Sequence, residues 1–109
     1  YATAEKLLLL NSDIMPLEKG WLPEMLKESK NLKNVGALGP KLLFEDGSIQ
    51  HAGMAFEKSE VFGMWLNEHP GKGLPDMQKD KDAKEVPAVT AACLMIDRDL
   101  YEEVGGLSE

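Results

Sequence analysis

The sequence predicts an α/β layered domain with a mixed sheet. Three observations point to it. Four consecutive leucines, Leu7 to Leu10, make an apolar run that stops abruptly at Asn11-Ser12-Asp13. A helix-spaced apolar set follows, Trp21, Leu22, Met25 and Leu26. The most apolar stretch, 86–96, comes late and leads into a second short helical pattern. Strands alternating with helices argue for helices layered on a sheet.

The first strand is expected over residues 6–10. A leucine run without alternation predicts burial on both faces, as in a central parallel strand. Leucine alone also suits a helix, but the polar stop and Pro16 favour a strand. The helix from Trp21 carries Pro23 in its first turn, where the missing N–H costs nothing, and Trp21 reads as its core anchor. Residues 35–44 read as a second strand that Pro40 places at an edge or a kink. Glu45-Asp46-Gly47-Ser48 is a turn signal, and 49–56 returns as the other arm of a β-hairpin. Residues 57–85 hold Pro70, Gly71, Gly73 and Pro75 and then the charge run 78–85, and are expected to be a long surface loop. Residues 86–96 form the last strand. Asp97 is expected to cap a short helix whose inner face is Leu100, Tyr101 and Val104, ended by Gly105-Gly106.

The chain has 109 residues, enough for one domain. Nineteen acidic residues against 12 basic give a net charge of -7, which argues against a nucleic-acid partner and against direct adhesion to an anionic membrane. An acidic balance suits a site that holds a cation. The single cysteine, Cys93, allows no intrachain disulfide and reads as a buried, inert thiol in a reducing compartment. A Tyr at position 1 and a stop just after a Gly-Gly turn predict a piece of a longer protein.

Asn11-Ser12-Asp13 follows the apolar strand, and open α/β sheets bind ligands beyond the carboxyl ends of their strands. A carboxylate there suits a hard divalent cation shared with substrate phosphates. The same three residue types are common turn formers, and the triplet alone favours a turn. His51 shares a strand face with Ile49, and a lone histidine is more often structural than a ligand. His69, in the Gly- and Pro-rich stretch, has a weaker claim. Thr90-Ala91-Ala92 puts small residues on an apolar strand, where a ligand or a packed helix could come close. HExxH, CxxC, P-loop and GxGxxG motifs are all lacking.

In order and spacing these segments resemble the family 2 glycosyltransferases, especially bacterial ones that build surface polysaccharides. The matching stretches are Leu7-Leu8-Leu9-Leu10-Asn11-Ser12-Asp13, Gly20-Trp21-Leu22, Val35-Gly36-Ala37-Leu38-Gly39-Pro40-Lys41-Leu42-Leu43 and Asp46-Gly47-Ser48-Ile49-Gln50-His51-Ala52-Gly53. The last two are Ala88-Val89-Thr90-Ala91-Ala92-Cys93-Leu94-Met95-Ile96 and Val104-Gly105-Gly106-Leu107-Ser108-Glu109. The resemblance implies part of a catalytic domain of GT-A fold, with a mixed sheet lacking the N-terminal nucleotide-binding half. It implies transfer of a sugar from a nucleotide-diphosphate donor to a glycan or lipid-linked acceptor. Asn11, Ser12 and Asp13 match the DXD-type motif, with Asn11 where many relatives have Asp, and Asp13 the ligand of Mn²⁺ or Mg²⁺. Thr90 and Ala91 match the strand lining the donor sugar, with Ala91 where relatives often have Gly. The general base would lie beyond Glu109, so these 109 residues alone are expected to be inactive. A cytoplasmic location is expected, at the inner face of the membrane for the full-length parent.

Two other readings compete. A binding or assembly module would pair with itself through exposed strand edges and form a homo-oligomer. A phosphotransferase would use Asp13 with Mg²⁺ but would want further strand-end carboxylates, and Asp97 reads as a cap instead.

Overall fold

A computed structural model describes residues 3–77 and 82–107. In chain order the elements are β1 (Lys6–Leu10), α1 (Trp21–Asn31), β2 (Ala37–Leu38), β3 (Leu42–Leu43) and β4 (Ile49–His51). They continue as β5 (Ala55–Ser59), β6 (Met64–Glu68), β7 (Cys93–Asp97) and α2 (Arg98–Glu103). The chain divides into two compact units, one holding β1, α1, β2, β7 and α2, the other spanning Pro40–Thr90.

In the first unit three strands pair in the order β1-β7-β2, all antiparallel. Lys6 stands opposite Asp97 and Leu10 opposite Cys93, while Ala37 and Leu38 face Ile96 and Met95. The central strand is therefore β7. Its Cys93 and Met95 point to one face, with strands on both sides, and are 2% and 3% exposed. This corrects the expectation that Leu7 to Leu10 form a central parallel strand. Among the described residues β1 has a neighbour on one side only, and Leu10 is 47% exposed. An unbroken leucine run reports hydrophobic demand on both faces, but strand direction and position depend on partners that lie more than 80 residues away.

Helix α1 begins at Gly20, whose φ of 85° is open to glycine without strain. No side chain caps it. Glu24 in the first turn and Lys30 in the last complement the helix dipole. Met25 is buried and Trp21 half-buried. Helix α2 departs from expectation in two ways. Asp97 holds the N-cap position but makes no side-chain cap bond, because its carboxylate is engaged by the Lys6 ammonium across the ladder. Val104, expected on the inner face, is 64% exposed.

In the second unit β3 and β4 form the expected hairpin, with Leu42 opposite His51 and Leu43 opposite Ile49 around a bulge. Asp46 closes the turn: its carboxylate accepts from the Ser48 amide at 2.9 Å and from the Ser48 hydroxyl at 2.6 Å. The hydroxyl, then the amide, hold the Asp46 pKa below its ordinary value. The other edge of β4 is taken by a later turn, where Ile49 donates to Leu74 at 2.9 Å and Gly73 donates to Ile49 at 2.8 Å.

Three expected segments change here. Residues 35–44 are two short strands in different sheets, separated at Gly39 and Pro40, since Pro40 has no N–H for a ladder. Residues 49–56 break at Ala52-Gly53. Residues 57–85 are not simply a loop: β5 runs to Ser59 and pairs antiparallel with β6, from Ala55 opposite Glu68 to Ser59 opposite Met64. Every residue of β6 is exposed, so the hairpin lies at the surface as expected of this stretch. Residues 78–81, part of the predicted charge run, lie outside the described residues. The strand expected over 86–96 is regular only from Cys93, after a turn at Ala91-Ala92. Among the described residues no helix is long and apolar enough to cross a membrane.

Candidate functional site

Asn11-Ser12-Asp13 leaves the carboxyl end of β1 as a turn. The Asn11 amide donates to the Ala92 carbonyl at 2.9 Å, adding a rung beyond the β1·β7 ladder, and the Ile14 amide donates to the Asn11 carbonyl at 3.2 Å. All three side-chain-bearing residues are exposed. Ala91, also exposed, is next in sequence to the Ala92 that receives Asn11. The first unit thus brings Asn11, Ser12, Asp13 and Ala91 to the same end of the β1·β7 pair. Thr90 is the last residue of the second unit. Glu109 lies outside the described residues.

The donor set is thin for a metal. No group of three His, Cys, Asp or Glu that could hold an ion occurs among the described residues. Asp13 is a single exposed hard-oxygen donor. That suits Mg²⁺ or Mn²⁺ when substrate phosphates and water complete the shell, and it does not suit a cage built by protein alone. A pocket of about 140 Å³ in the first unit, lined by Lys6, Ser29, Leu32, Met95 and Asp97, sits at the opposite end of β1. It falls below the few hundred Å³ usual for a small-molecule site.

The best-defined polar arrangement is in the second unit. His51, at the end of β4, is 3% exposed. Its Nε2 accepts from the Thr90 amide at 3.2 Å, and its Nδ1 lies 3.4 Å from Nδ1 of His69. The two rings meet edge to face, with centroids 5.6 Å apart and planes at 65°. Burial, and then the His69 charge, lower the His51 pKa from its ordinary value. The sequence reading of His51 as structural agrees with this burial. It gave His69 little weight, because nothing local marks a histidine in a Gly- and Pro-rich stretch as the partner of one 18 residues earlier.

The turn after His51 explains the small residues there. Gly53 has φ 97°, and a Cβ on it would lie 2.7 Å from Cγ1 of Val86. The next amide, Met54, donates to Ala88 at 2.9 Å. Residues 51–54 therefore anchor residues 86–90 at three points: His51 to Thr90, Gly53 against Val86, and Met54 to Ala88. Cys93 is buried, and burial pushes its thiol pKa up, in keeping with the inert thiol expected.

No family model matches the chain, and no solved structure matches it. It is similar to two much longer bacterial proteins. Uncharacterized protein y4gI of Sinorhizobium fredii (strain NBRC 101917 / NGR234) is 37% identical over 105 residues, which cover 96% of this chain and 11% of that protein. O-antigen biosynthesis protein RfbC of Myxococcus xanthus is 32% identical over 114 residues, covering 99% of this chain and 8% of that one. The chain spans no more than 11% of the length of either of these curated relatives.

Proposed function

We propose that this chain is part of a polysaccharide-building enzyme, and within that class part of a glycosyltransferase of family 2 with a GT-A type fold. The observation that carries the reading is the 32% identity across 99% of the chain to a protein named for O-antigen biosynthesis. The ordered motifs add the finer assignment. The parent transfers a sugar from a nucleotide-diphosphate donor to a glycan or lipid-linked acceptor at the cytoplasmic face of the membrane.

In this reading Asn11 and Ser12 flank the donor diphosphate, and Asp13 holds Mn²⁺ or Mg²⁺ together with the phosphates. The exposure of all three at a strand end leaves room for such a ligand. The bound ion supplies Lewis-acid stabilisation of the departing nucleotide. Thr90 and Ala91 line the donor sugar with small side chains.

Titration of UDP with Mn²⁺ into the full-length protein tests the site. Binding that requires the metal and weakens at least ~10-fold in Asp13→Ala is expected, since a charge-assisted contact is lost. Equal binding by the variant would remove Asp13 from the site.

The β5–β6 hairpin favours a second reading, a module that associates through its surface. Trp65 is 68% exposed, Met64 56% and Phe56 50%. Light scattering showing a clean monomer at all accessible concentrations would exclude self-association.

A further inference from the structure

We propose that His51 is a positioning residue for Thr90, a proton-sensitive latch whose tautomer is set by His69. The proposal rests on the reading of Thr90 as a donor-sugar contact. It starts from hydrogen-bond roles. The Thr90 amide can only donate, so Nε2 of His51 must carry a lone pair. A neutral imidazole then bears its proton on Nδ1. That nitrogen faces Nδ1 of His69, and two facing ring nitrogens need one proton between them. His51 therefore donates, over a long contact, and His69 accepts.

This arrangement has room for no further proton. A proton added to His51 must go to Nε2, which then points an N–H at the Thr90 N–H. A proton added to Nδ1 of His69 turns that atom into a donor toward His51. The His51 ring then keeps its own proton on Nε2, again facing Thr90. Either route breaks the bond to Thr90. Among the described residues His69 is the titratable group whose charge, when it carries one, acts on the His51 ring. Leu42 is the partner of His51 across the β3·β4 ladder. Lys41, next to Leu42, is engaged by Asp76 at 2.6 Å.

Releasing the latch leaves Thr90 without one of the anchors that hold the 86–90 stretch, while Met54 still holds Ala88. The consequence falls on the residue beside the proposed donor sugar. Gln at position 51 tests this directly. Its side-chain carbonyl reaches about as far as Nε2, accepts a hydrogen bond and takes no proton.

Two measurements on the full-length protein decide the matter. The first follows the His51 ring nitrogens and the Thr90 amide by nitrogen-15 NMR from about pH 8 to pH 5. The Thr90 amide is expected to move with the His51 midpoint, below about 6.5, and to stay still in His51→Gln. In His51→Leu it should sit at the released position at every pH. A Thr90 amide that ignores pH, or responds equally in His51→Gln, overturns the latch.

The second measures UDP–Mn²⁺ binding over the same range. Binding should weaken about three- to tenfold more at the acid end than it does in His51→Gln, the worth of one hydrogen bond, because protonation of the UDP phosphate weakens both proteins alike. A slope equal in wild type and His51→Gln overturns the link to the donor. Failure of UDP to bind at any pH, with the Thr90 shift intact, sinks the donor reading and leaves the latch standing.

Discussion

The two units use their buried positions differently. In the first, the central strand β7 places Cys93 and Met95 on one face between β1 and β2, and α1 contributes the buried Met25. Among the described residues of the second, the buried side chains are Leu42 and His51, with Gly53 packed against Val86. The first is held by apolar burial along a ladder. The second is held at single points, by a turn glycine, a ring nitrogen and a few amides. Apolar burial is non-directional and tolerates some repacking. Point anchors depend on geometry and on protonation, so the second unit should be the more sensitive to small chemical changes.

The sharpest way to break the second unit alone is Gly53→Val. A side chain there meets both a positive φ and a Val86 atom at 2.7 Å from its Cβ. Strain and overpacking together should cost about 4 kcal/mol. Hydrogen exchange should show the Met54 amide losing protection while the β1 amides keep theirs. Equal loss in both places would mean that the two units unfold as one.

Met95→Ala is the matching cut in the first unit. Truncating a core side chain that is 3% exposed should cost about 3 kcal/mol. Here the β1 amides lose protection and the Met54 amide does not. The effect should not depend on pH between about 5 and 8, because no titrating group is involved.

The smallest expected effect is the most diagnostic. The neutral His51 ring is the form that accepts from Thr90, and its folded-state pKa is lowered by burial and then by His69. Unfolded chains bind that proton more readily, so acid favours unfolding. The contribution is full above the ordinary histidine value of about 6.5 and is lost as the pH falls through the lower folded-state pKa, with an amplitude of about 1 kcal/mol. Denaturant melts at a series of pH values should show this slope in the second unit, and His51→Gln should flatten it.

The parts of the fold legible in the sequence are those decided within one turn or one strand. Lys6–Leu10 is apolar and bounded by a polar triplet, and it is β1 with those bounds. Trp21 to Asn31 is helix-spaced with Pro23 in its first turn, and it is α1. The Asp46-Gly47-Ser48 turn closes through the Asp46 side chain, as turn chemistry requires. The β5–β6 hairpin was less visible. Its strands carry Glu57, Lys58, Asn67 and Glu68 among the aromatics, and neither has a clean period-two alternation.

For the candidate site the division is similar. Asn11, Ser12 and Asp13 stand out in the sequence because a polar triplet ends an apolar strand, and that local contrast survives folding as an exposed turn. Asp97 takes the N-cap position as expected, but its carboxylate goes to Lys6, 91 residues away, and makes no cap bond. The His51–His69 contact and the bond from Thr90 have the same origin. Sequence by itself determined which segments are apolar, where turns form and that the chain is acidic, since these follow from side-chain chemistry and short-range sterics. Only the tertiary structure decided which strand is central, which cation takes the Asp97 carboxylate and which histidine meets Thr90. Those outcomes depend on pairings between residues far apart in the chain, and no local pattern encodes them.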